Sequence, residues 1–553
     1  MDLSSRLRYI DIYLELNVKE SLPNLETLSL AQQVAQMVVV RASGYLFDHQ
    51  IQYPQWEPQT AKLRHWVENL GVGGVILLGG SAGEIAIRSQ QLRNWAKIPL
   101  LIAADIEEGV GQRFSGATQF PPLMAIGAIA EKNPSLAQHY AAQMGAITAQ
   151  EALAIGINWV LAPVVDVNNN PDNPVINVRA FGGTPETVSQ LATAFIQGAK
   201  AYPVLTTAKH FPGHGDTATD SHLDLPVLPH SAARLAAVEL PPFKAAIAAG
   251  VDAIMSAHLL IPSWDAEQPA TLSREILTDQ LRQHLGFEKL IVTDALVMGA
   301  IANHYDAAVA PVLAVEAGVD ILLMPVDPQK AIEAVCAAVE SGRIPQERIR
   351  ASVERIWQAK RQLEGAGEAG EQRSSTVGEK QETRDLTRQL ALGDAINTVE
   401  QILQETMLVY GSVPLQAAAS ATKSTFHNLI VVDNLLACDF LGQHTPAITL
   451  PTQLGYTTQL IDLHTPTGIA PEQPTLLQLF IRGNPFRGSA GMTQVAQNWF
   501  KKLLQSGNLQ ALVVYGSPYV LDQFLPLPSE VPCVFAYGQM PSAQGIALDK
   551  LFR

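Results

Sequence analysis

Eight short runs of apolar, largely β-branched residues recur along the first 330 residues, and this recurrence constrains the fold more than any other feature of the chain. Longer stretches with helical spacing of apolar residues lie between the runs, for example at 136–154, 185–201 and 232–249. Such alternation predicts parallel strands joined by crossover helices. Eight units of this kind indicate a closed (β/α)8 barrel of the TIM type. The runs occupy residues 36–42, 72–78, 99–104, 157–165, 204–208, 252–257, 290–293 and 319–324.

Ionisable side chains lie at the ends of several of these runs. Because barrel enzymes place their chemistry at the carboxyl ends of the strands, these side chains are candidates for one functional site. A doubly wound open sheet would also gather residues at its strand ends, and it is the alternative architecture. The residues are Asp105, Asp166, Lys209, His210, His258 and Asp294.

The chain is too long for one hydrophobic core to organise, so two domains are expected. A stretch of small and polar residues at 365–385 is typical of a flexible linker. It separates a catalytic barrel at 1–364 from a smaller α/β domain at 386–553. Apolar runs return there at 429–432, 476–481, 511–515 and 534–537, with a helix-like segment at 493–504. The second domain contains no catalytic motif that we identify, and we interpret it as a packing or dimerisation module.

The formal net charge of −15 argues against a general nucleic-acid binder or a protein of anionic membranes. Three widely spaced cysteines predict neither a disulfide framework nor a thiolate metal cluster. The first residues lack the apolar core of a secretory signal, and no later segment has the unbroken apolar length of a membrane span. We therefore expect a soluble cytoplasmic protein with a small-molecule substrate and no nucleic-acid or membrane partner. The composition leaves the oligomeric state open.

The segment 209–222 concentrates a lysine, three histidines and two aspartates on a backbone with two glycines and a proline. This mixture predicts a shaped active-site loop rather than a regular element. Three imidazoles and an aspartate would also suit zinc. We favour that alternative less, because Pro212 and Gly213 follow His210 where a helix would be needed to align two imidazoles.

The segment 209–222, together with Val292-Thr293-Asp294-Ala295-Leu296-Val297-Met298, resembles the β-N-acetylhexosaminidase branch of glycoside hydrolase family 3. The likeness covers roughly residues 30 to 360 and includes 105–113, 162–168 with 179–182, and 255–258. The tail is only loosely similar to the α/β sandwich domain of that family.

The resemblance implies the roles that a retaining glycosidase needs, a nucleophile and a proton donor on opposite faces of the anomeric carbon. It places the nucleophile on Asp294, the acid/base on His222, and the partner that orients His222 on Asp220. An imidazole with an ordinary pKa near ~6.5 and a carboxylate partner suits proton transfer. The alternative for Asp294 is a purely structural role, in which its side chain caps the following helix.

The resemblance implies sugar-binding roles for five further residues, although buried ion pairs also line barrel rims. The five residues are Asp105, Arg113, Arg179, Lys209 and His210. His258 and Asp166 either contact the substrate or support the groups that do. His214 is expected to hydrogen-bond its own loop.

One loop departs from the family pattern. The segment Glu107-Glu108-Gly109-Val110-Gly111 stands where an acidic residue, two glycines, arginine and valine are usual. This loop leads to Arg113, whose role depends on how the loop folds.

The resemblance implies an exo-acting β-N-acetylglucosaminidase that works by double displacement and requires no metal or organic cofactor. It points to the N-acetylglucosamine–anhydro-N-acetylmuramic acid unit of cell-wall turnover. A family 3 β-glucosidase, a β-N-acetylglucosaminide phosphorylase and an inactive sugar-binding protein are the alternatives.

Overall fold

The computed structural model describes residues 22–217, 219–374, 386–415, 426–432, 434, 435, 438, 440–462, 464, 465, 472–482 and 494–553. Two sheets dominate the described chain, one of eight strands and one of six.

The first sheet is a parallel barrel. Its strands are β1 Val38–Ser43, β2 Gly74–Leu78, β3 Leu101–Ala104, β4 Trp159–Val160, β5 Leu205–Phe211, β6 Ala253–Ser256, β7 Leu290–Val292 and β8 Leu322–Leu323. Neighbouring strands follow the order β7-β6-β5-β4-β3-β2-β1-β8. A parallel bridge between Val292 of β7 and Ile321, which directly precedes β8, closes the sheet. Each predicted run overlaps one strand, so the predicted barrel is confirmed.

Helices cover the outside of the barrel, and several of them begin at residues whose side chains suit that position. Asn133, Thr184 and Asp327 each accept a backbone N–H of the first turn, and a proline follows each of them. Ser81 and Glu84 form a reciprocal capping box. The helices are Leu30–Gln36, Thr60–His65, Ala82–Trp95, Leu123–Ala130, Pro134–Ala154, Pro185–Ala199, Ala232–Arg234, Leu240–Ala248, Gly299–Ala302, Val309–Ala317, Pro328–Glu340 and Gln346–Ser374, with wider π-helical turns at Trp66–Leu70, Leu235–Glu239 and Glu275–His284.

The second sheet confirms the predicted α/β architecture of the tail. Its strands are β9 Leu408–Tyr410, β10 Phe426–Val432, β11 Tyr456–Ile461, β12 Thr475–Ile481, β13 Leu509–Gly516 and β14 Cys533–Ala536. Their order is β11-β10-β12-β13-β14-β9, parallel except for β9. The helices of this part are Gly393–Thr406, Pro446–Gln453, Gln494–Gln505, Pro518–Asp522 and Pro541–Phe552.

The helix Gln346–Ser374 continues past residue 365, where we predicted the linker to begin. Residues 375–385 of that linker lie outside the described residues. The domain boundaries at 364 and 386 therefore stay predictions. Within the described ranges, no helix combines the length and apolar character needed to cross a bilayer.

Candidate active site

Asp294 lies two residues beyond β7, at the carboxyl end of the barrel. The backbone N–H of Ala295 donates to its Oδ1 at 2.7 Å. Burial alone would raise the pKa of Asp294, but the imidazoles of His258, His210 and His222 and the Ala295 amide together lower it to about 2. The carboxylate is therefore ionised at neutral pH and surrounded by positive or potentially positive groups.

His222 forms a dyad with Asp220. The His222 Nδ1 lies 2.8 Å from Asp220 Oδ1, and the backbone N–H of His222 donates to the same oxygen at 2.9 Å. Asp220 is buried, whereas the His222 side chain is 23 % exposed. A carboxylate at Nδ1 fixes the orientation of the ring and stabilises an imidazolium, which is the arrangement expected of a proton donor.

The loop that carries His222 rests on the helix that follows Asp294. Gly299 N–H donates to the His222 carbonyl at 3.1 Å, and Ala300 N–H donates to the Ser221 carbonyl at 3.3 Å. These are N–H groups of the first helical turn, which lack partners within the helix. The helix Gly299–Ala302 thus uses its amino end to hold His222 close enough to Asp294 to affect its pKa.

Asp166 organises the beginning of the same loop. Its carboxylate accepts the backbone N–H groups of His210, at 3.1 Å, and of His214, at 2.7 Å. Its Oδ2 also lies 2.8 Å from His210 Nδ1. Burial alone would raise the pKa of Asp166, but these imidazoles and amides lower it. Asp166 therefore contacts His210 directly and supports the loop as well.

His214 connects two parts of the loop. Its Nδ1 lies 2.7 Å from Thr217 Oγ1, and its Nε2 lies 3.0 Å from Ser221 Oγ. Burial is the main reason that the pKa of His214 is lowered to about 4, so the ring is neutral at ordinary pH. A neutral imidazole between two hydroxyls braces the loop next to His222.

Four charged side chains form a cluster beside this loop. Lys209 Nζ lies 2.7 Å from Asp105 Oδ1 and 2.6 Å from Glu107 Oε1. Arg179 meets the same Glu107 carboxylate with Nε at 2.9 Å and Nη2 at 2.7 Å. Burial alone would raise the pKa of Glu107, but Arg179 and Lys209 hold it well below its usual range. Asp105, whose side chain is one-third exposed, is the member open to a ligand.

Arg113 stands at the margin of this cluster. It is exposed, and its Nε donates to the backbone carbonyl of Asp105 at 3.0 Å. Its contact in the structure is therefore with the chain at Asp105, and a sugar-binding role for Arg113 stays a prediction.

His258 supports the backbone next to Asp294. Its Nε2 lies 3.0 Å from the carbonyl oxygen of Ala295, and its Nδ1 lies 2.8 Å from Thr271 Oγ1. Because a carbonyl can only accept, Nε2 carries a proton. Burial lowers the pKa of His258. His258 thus holds the residue whose N–H binds the Asp294 carboxylate.

The predicted site residues converge at the carboxyl end of the barrel, with Arg113 at its edge. Glu107 is the functional candidate that our sequence reasoning missed, although it lies in the loop that we singled out for its departures. Its signal was a carboxylate two residues beyond Asp105, within the likeness at 105–113. Over the described ranges, no group of three or more His, Cys, Asp or Glu side chains is arranged to hold a metal ion.

Both parts of the chain match the models of known protein families. Residues 29–359 match the model described as the glycosyl hydrolase family 3 N terminal domain. Residues 419–553 match the model described as the bacterial glycosyl hydrolase family 3 C-terminal domain. The match to the first model covers the barrel strands and the residues of the candidate site.

Relatives and solved structures extend this likeness over most of the chain. The chain is 29 % identical over 526 residues to beta-hexosaminidase A of Pseudoalteromonas piscicida, covering 86 % of this chain and 85 % of the relative. It is 37 % identical over 266 residues to a beta-hexosaminidase of Thiobacillus denitrificans, covering 47 % and 74 %. A solved family 3 beta-N-acetylglucosaminidase from Paenibacillus sp. str. FPU-7 is similar with a TM-score of 0.74 and 29 % identity, covering 95 % of this chain and 97 % of that chain.

Proposed function

The chain belongs to glycosyl hydrolase family 3 and is a glycoside hydrolase, and from this premise we propose that it removes terminal β-linked N-acetylglucosamine with retention of configuration. The relatives named beta-hexosaminidase and the similar beta-N-acetylglucosaminidase support this choice of sugar. The substrate is a small carbohydrate, bound at the barrel mouth by Asp105, Lys209, His210 and Arg179, with Arg113 at the rim.

One observation carries the proposal: an ionised Asp294 and an Asp220–His222 dyad are held together by the helix Gly299–Ala302. A carboxylate with a pKa near 2 stays deprotonated and can attack an anomeric carbon. An imidazole backed by a buried carboxylate can protonate the departing oxygen. These are the two groups that double displacement requires.

In the first step, an Asp294 carboxylate oxygen forms a bond to the anomeric carbon. The glycosidic C–O bond breaks, and its electron pair stays on the leaving oxygen, which takes a proton from His222. In the second step, water gives a proton to His222 and attacks the anomeric carbon, which releases Asp294. The two inversions produce net retention.

We further propose a cytoplasmic role in cell-wall turnover, with the disaccharide of N-acetylglucosamine and anhydro-N-acetylmuramic acid as substrate. The resemblance of 209–222 and 292–298 to the hexosaminidase branch supports this role. The neutral form of His222 after proton transfer also keeps phosphate open as an acceptor in place of water, because a neutral imidazole repels an anion less than a carboxylate in the same role would.

The function is tested by comparing cleavage of an aryl β-N-acetylglucosaminide and an aryl β-glucoside, each with and without phosphate. We expect the wild-type protein to prefer the N-acetylglucosaminide and to release the free sugar. Asp294→Ala should abolish this turnover, because the nucleophile is lost while the pocket remains.

Preference for the glucoside would overturn the choice of sugar, and a sugar phosphate as the product would replace hydrolysis by phosphorolysis. Failure of the wild type to cleave either glycoside, with retained sugar binding, would leave only the binding-protein alternative.

A further inference from the structure

Glu108 is one of the residues that depart from the usual family pattern. It connects the loop at 105–113 to the second domain. Its side chain is only 1 % exposed. Arg482 binds both of its oxygens, with Nη1 lying 2.8 Å from Oε2 and Nη2 contacting Oε1. A buried carboxylate is costly unless it is paired. The added acid of the loop is therefore matched by an arginine from the second sheet.

The second domain also holds the turn that carries Arg179. Ser517 Oγ donates to Asn177 Oδ1 at 2.9 Å, and both residues are buried. Asn177 begins the 3-10 turn Asn177–Arg179 and has a φ of 46°, in the left-handed region. Asn168 accepts the Asn177 N–H at 2.9 Å, and its own amide donates to Tyr519 Oη at 3.1 Å. A side chain from the second domain thus helps to fix a strained turn.

Both contacts come from the carboxyl ends of two neighbouring strands of the second sheet. Arg482 directly follows β12 and Ser517 directly follows β13, and these strands pair at Ile481 and Gly516. Their targets, Glu108 and Asn177, lie one and two residues from Glu107 and Arg179. The carboxyl ends of two neighbouring strands of the second sheet therefore contact the chain next to each partner of the Glu107–Arg179 ion pair.

We propose that Arg482 and Ser517 are positioning residues for sugar binding, which act through the Glu107–Arg179 pair. This inference rests on the proposed function. Glu107 and Asp105 share Lys209 Nζ, so a shift of the 105–113 loop or of the Asn177–Arg179 turn displaces the polar groups that meet the sugar. Small misplacements of binding groups are costly, because catalysis depends on the bound geometry. The second domain is then part of the working site rather than only a packing module.

The test compares Arg482→Gln and Ser517→Ala with a matched control, Arg343→Gln. Arg343 makes a similar two-pronged contact with Glu316, at 2.7 Å and 2.7 Å, but between exposed parts of the barrel. We expect Arg482→Gln to lower kcat/KM for the aryl β-N-acetylglucosaminide by about 10- to 100-fold. The main change should be a raised KM.

Ser517→Ala should act in the same direction to a smaller degree, and Arg482→Lys should recover part of the loss because it keeps one charge. Arg343→Gln should retain the wild-type kcat and KM. Lowered unfolding temperatures for the Arg482 and Ser517 variants with wild-type kcat and KM would overturn the inference, because the contacts would then be only structural.

Calorimetric binding of free N-acetylglucosamine separates this inference from the proposed function. If the wild type binds N-acetylglucosamine but does not cleave the aryl β-N-acetylglucosaminide, the proposed function fails, and the inference is decided by Kd alone. A weaker Kd in Arg482→Gln would support it, and an unchanged Kd would contradict it. A wild-type protein that neither cleaves the aryl glycoside nor binds N-acetylglucosamine would overturn both.

Discussion

At the scale of single residues, Asp294 and His222 lie in different surroundings, which suit them to different roles. Asp294 is surrounded by imidazoles and a backbone N–H, which together lower its pKa to about 2. His222 instead has a buried carboxylate, Asp220, at its Nδ1. Environments that differ in this way assign acid and base roles to neighbouring groups. On our proposal, Asp294 is the nucleophile, ionised before it attacks, and His222 is the group that exchanges a proton.

Replacement of His222 by alanine should affect substrates according to their leaving groups. A poor leaving group needs protonation, so we expect its cleavage to slow by about 10²–10⁴-fold. An activated aryl leaving group needs little protonation, and the first step should slow much less. Rates measured across a series of aryl β-N-acetylglucosaminides check this, and equal losses for all of them would argue against His222 as the acid.

His214 should make the protein less stable in mild acid. Its pKa is lowered from 6.5 to about 4 in the fold, mainly by burial, so between these values the unfolded chain binds more protons than the folded chain. Stability is therefore lost as pH falls from 6.5 to 4, and it is fully present above 6.5. The loss from this group is on the order of 3 kcal/mol.

The midpoint of urea unfolding, measured from pH 7.5 to 4, checks this prediction. His214→Asn should be less stable than wild type at pH 7.5 and should show a flatter decline toward pH 4. An equally steep decline in both proteins would show that His214 is not a source of the acid sensitivity.

At the scale of elements, the important contact is between the loop of His222 and the amino end of the helix Gly299–Ala302. The absence of a side chain at Gly299 permits this contact. A Cβ there would lie 2.7 Å from the carbonyl oxygen of Leu223 and 2.8 Å from that of His222. Both distances are shorter than ordinary packing allows, so the loop would have to move.

Gly299→Ala should therefore impair catalysis without removing any catalytic group. We expect kcat/KM to fall by about 10- to 100-fold, because the displaced loop carries His222, which we propose as the acid. Gly83→Ala is a matched control, since Gly83 also lies in a first helical turn and the nearest atom to its Cβ would be 4.0 Å away. Wild-type activity of Gly299→Ala would contradict the role that we give to this contact.

The elements also show what sequence patterns can reveal. The barrel strands are buried on both faces, so each appeared as an apolar run, and all eight were found. In the second sheet, β9 and β11 were missed. Both are edge strands with several exposed residues, and an edge strand does not need a continuous apolar run.

At the scale of the whole molecule, the sequence identified the candidate site residues, but it did not predict which distant segments contact one another. Asp294, His222 and Asp220 were identifiable because their motifs are local. The central position of Glu107 was not, because it depends on Arg179 and Lys209, which approach from the Asn177–Arg179 turn and from β5. Contacts of this kind arise only when the chain closes into a barrel.

The role that we propose for Arg482 and Ser517 of the second domain could not be predicted for the same reason, and the packing or dimerisation module stays a prediction. Arg482 and Ser517 carry no motif, and each follows an ordinary buried strand. Their importance comes from the barrel loops that they contact, at Glu108 and Asn177. A pattern read along the chain reports local structure, and it cannot show which distant segments meet.

The most direct test of Asp294 as the nucleophile is mass spectrometry of His222→Ala, quenched during turnover of an activated aryl β-N-acetylglucosaminide. The first step needs little acid with this substrate, whereas the second step lacks its base, so the covalent intermediate should accumulate. We predict one added N-acetylhexosamine, attached to the peptide that contains Asp294. Continued turnover with no adduct, or an adduct on another residue, would contradict the account.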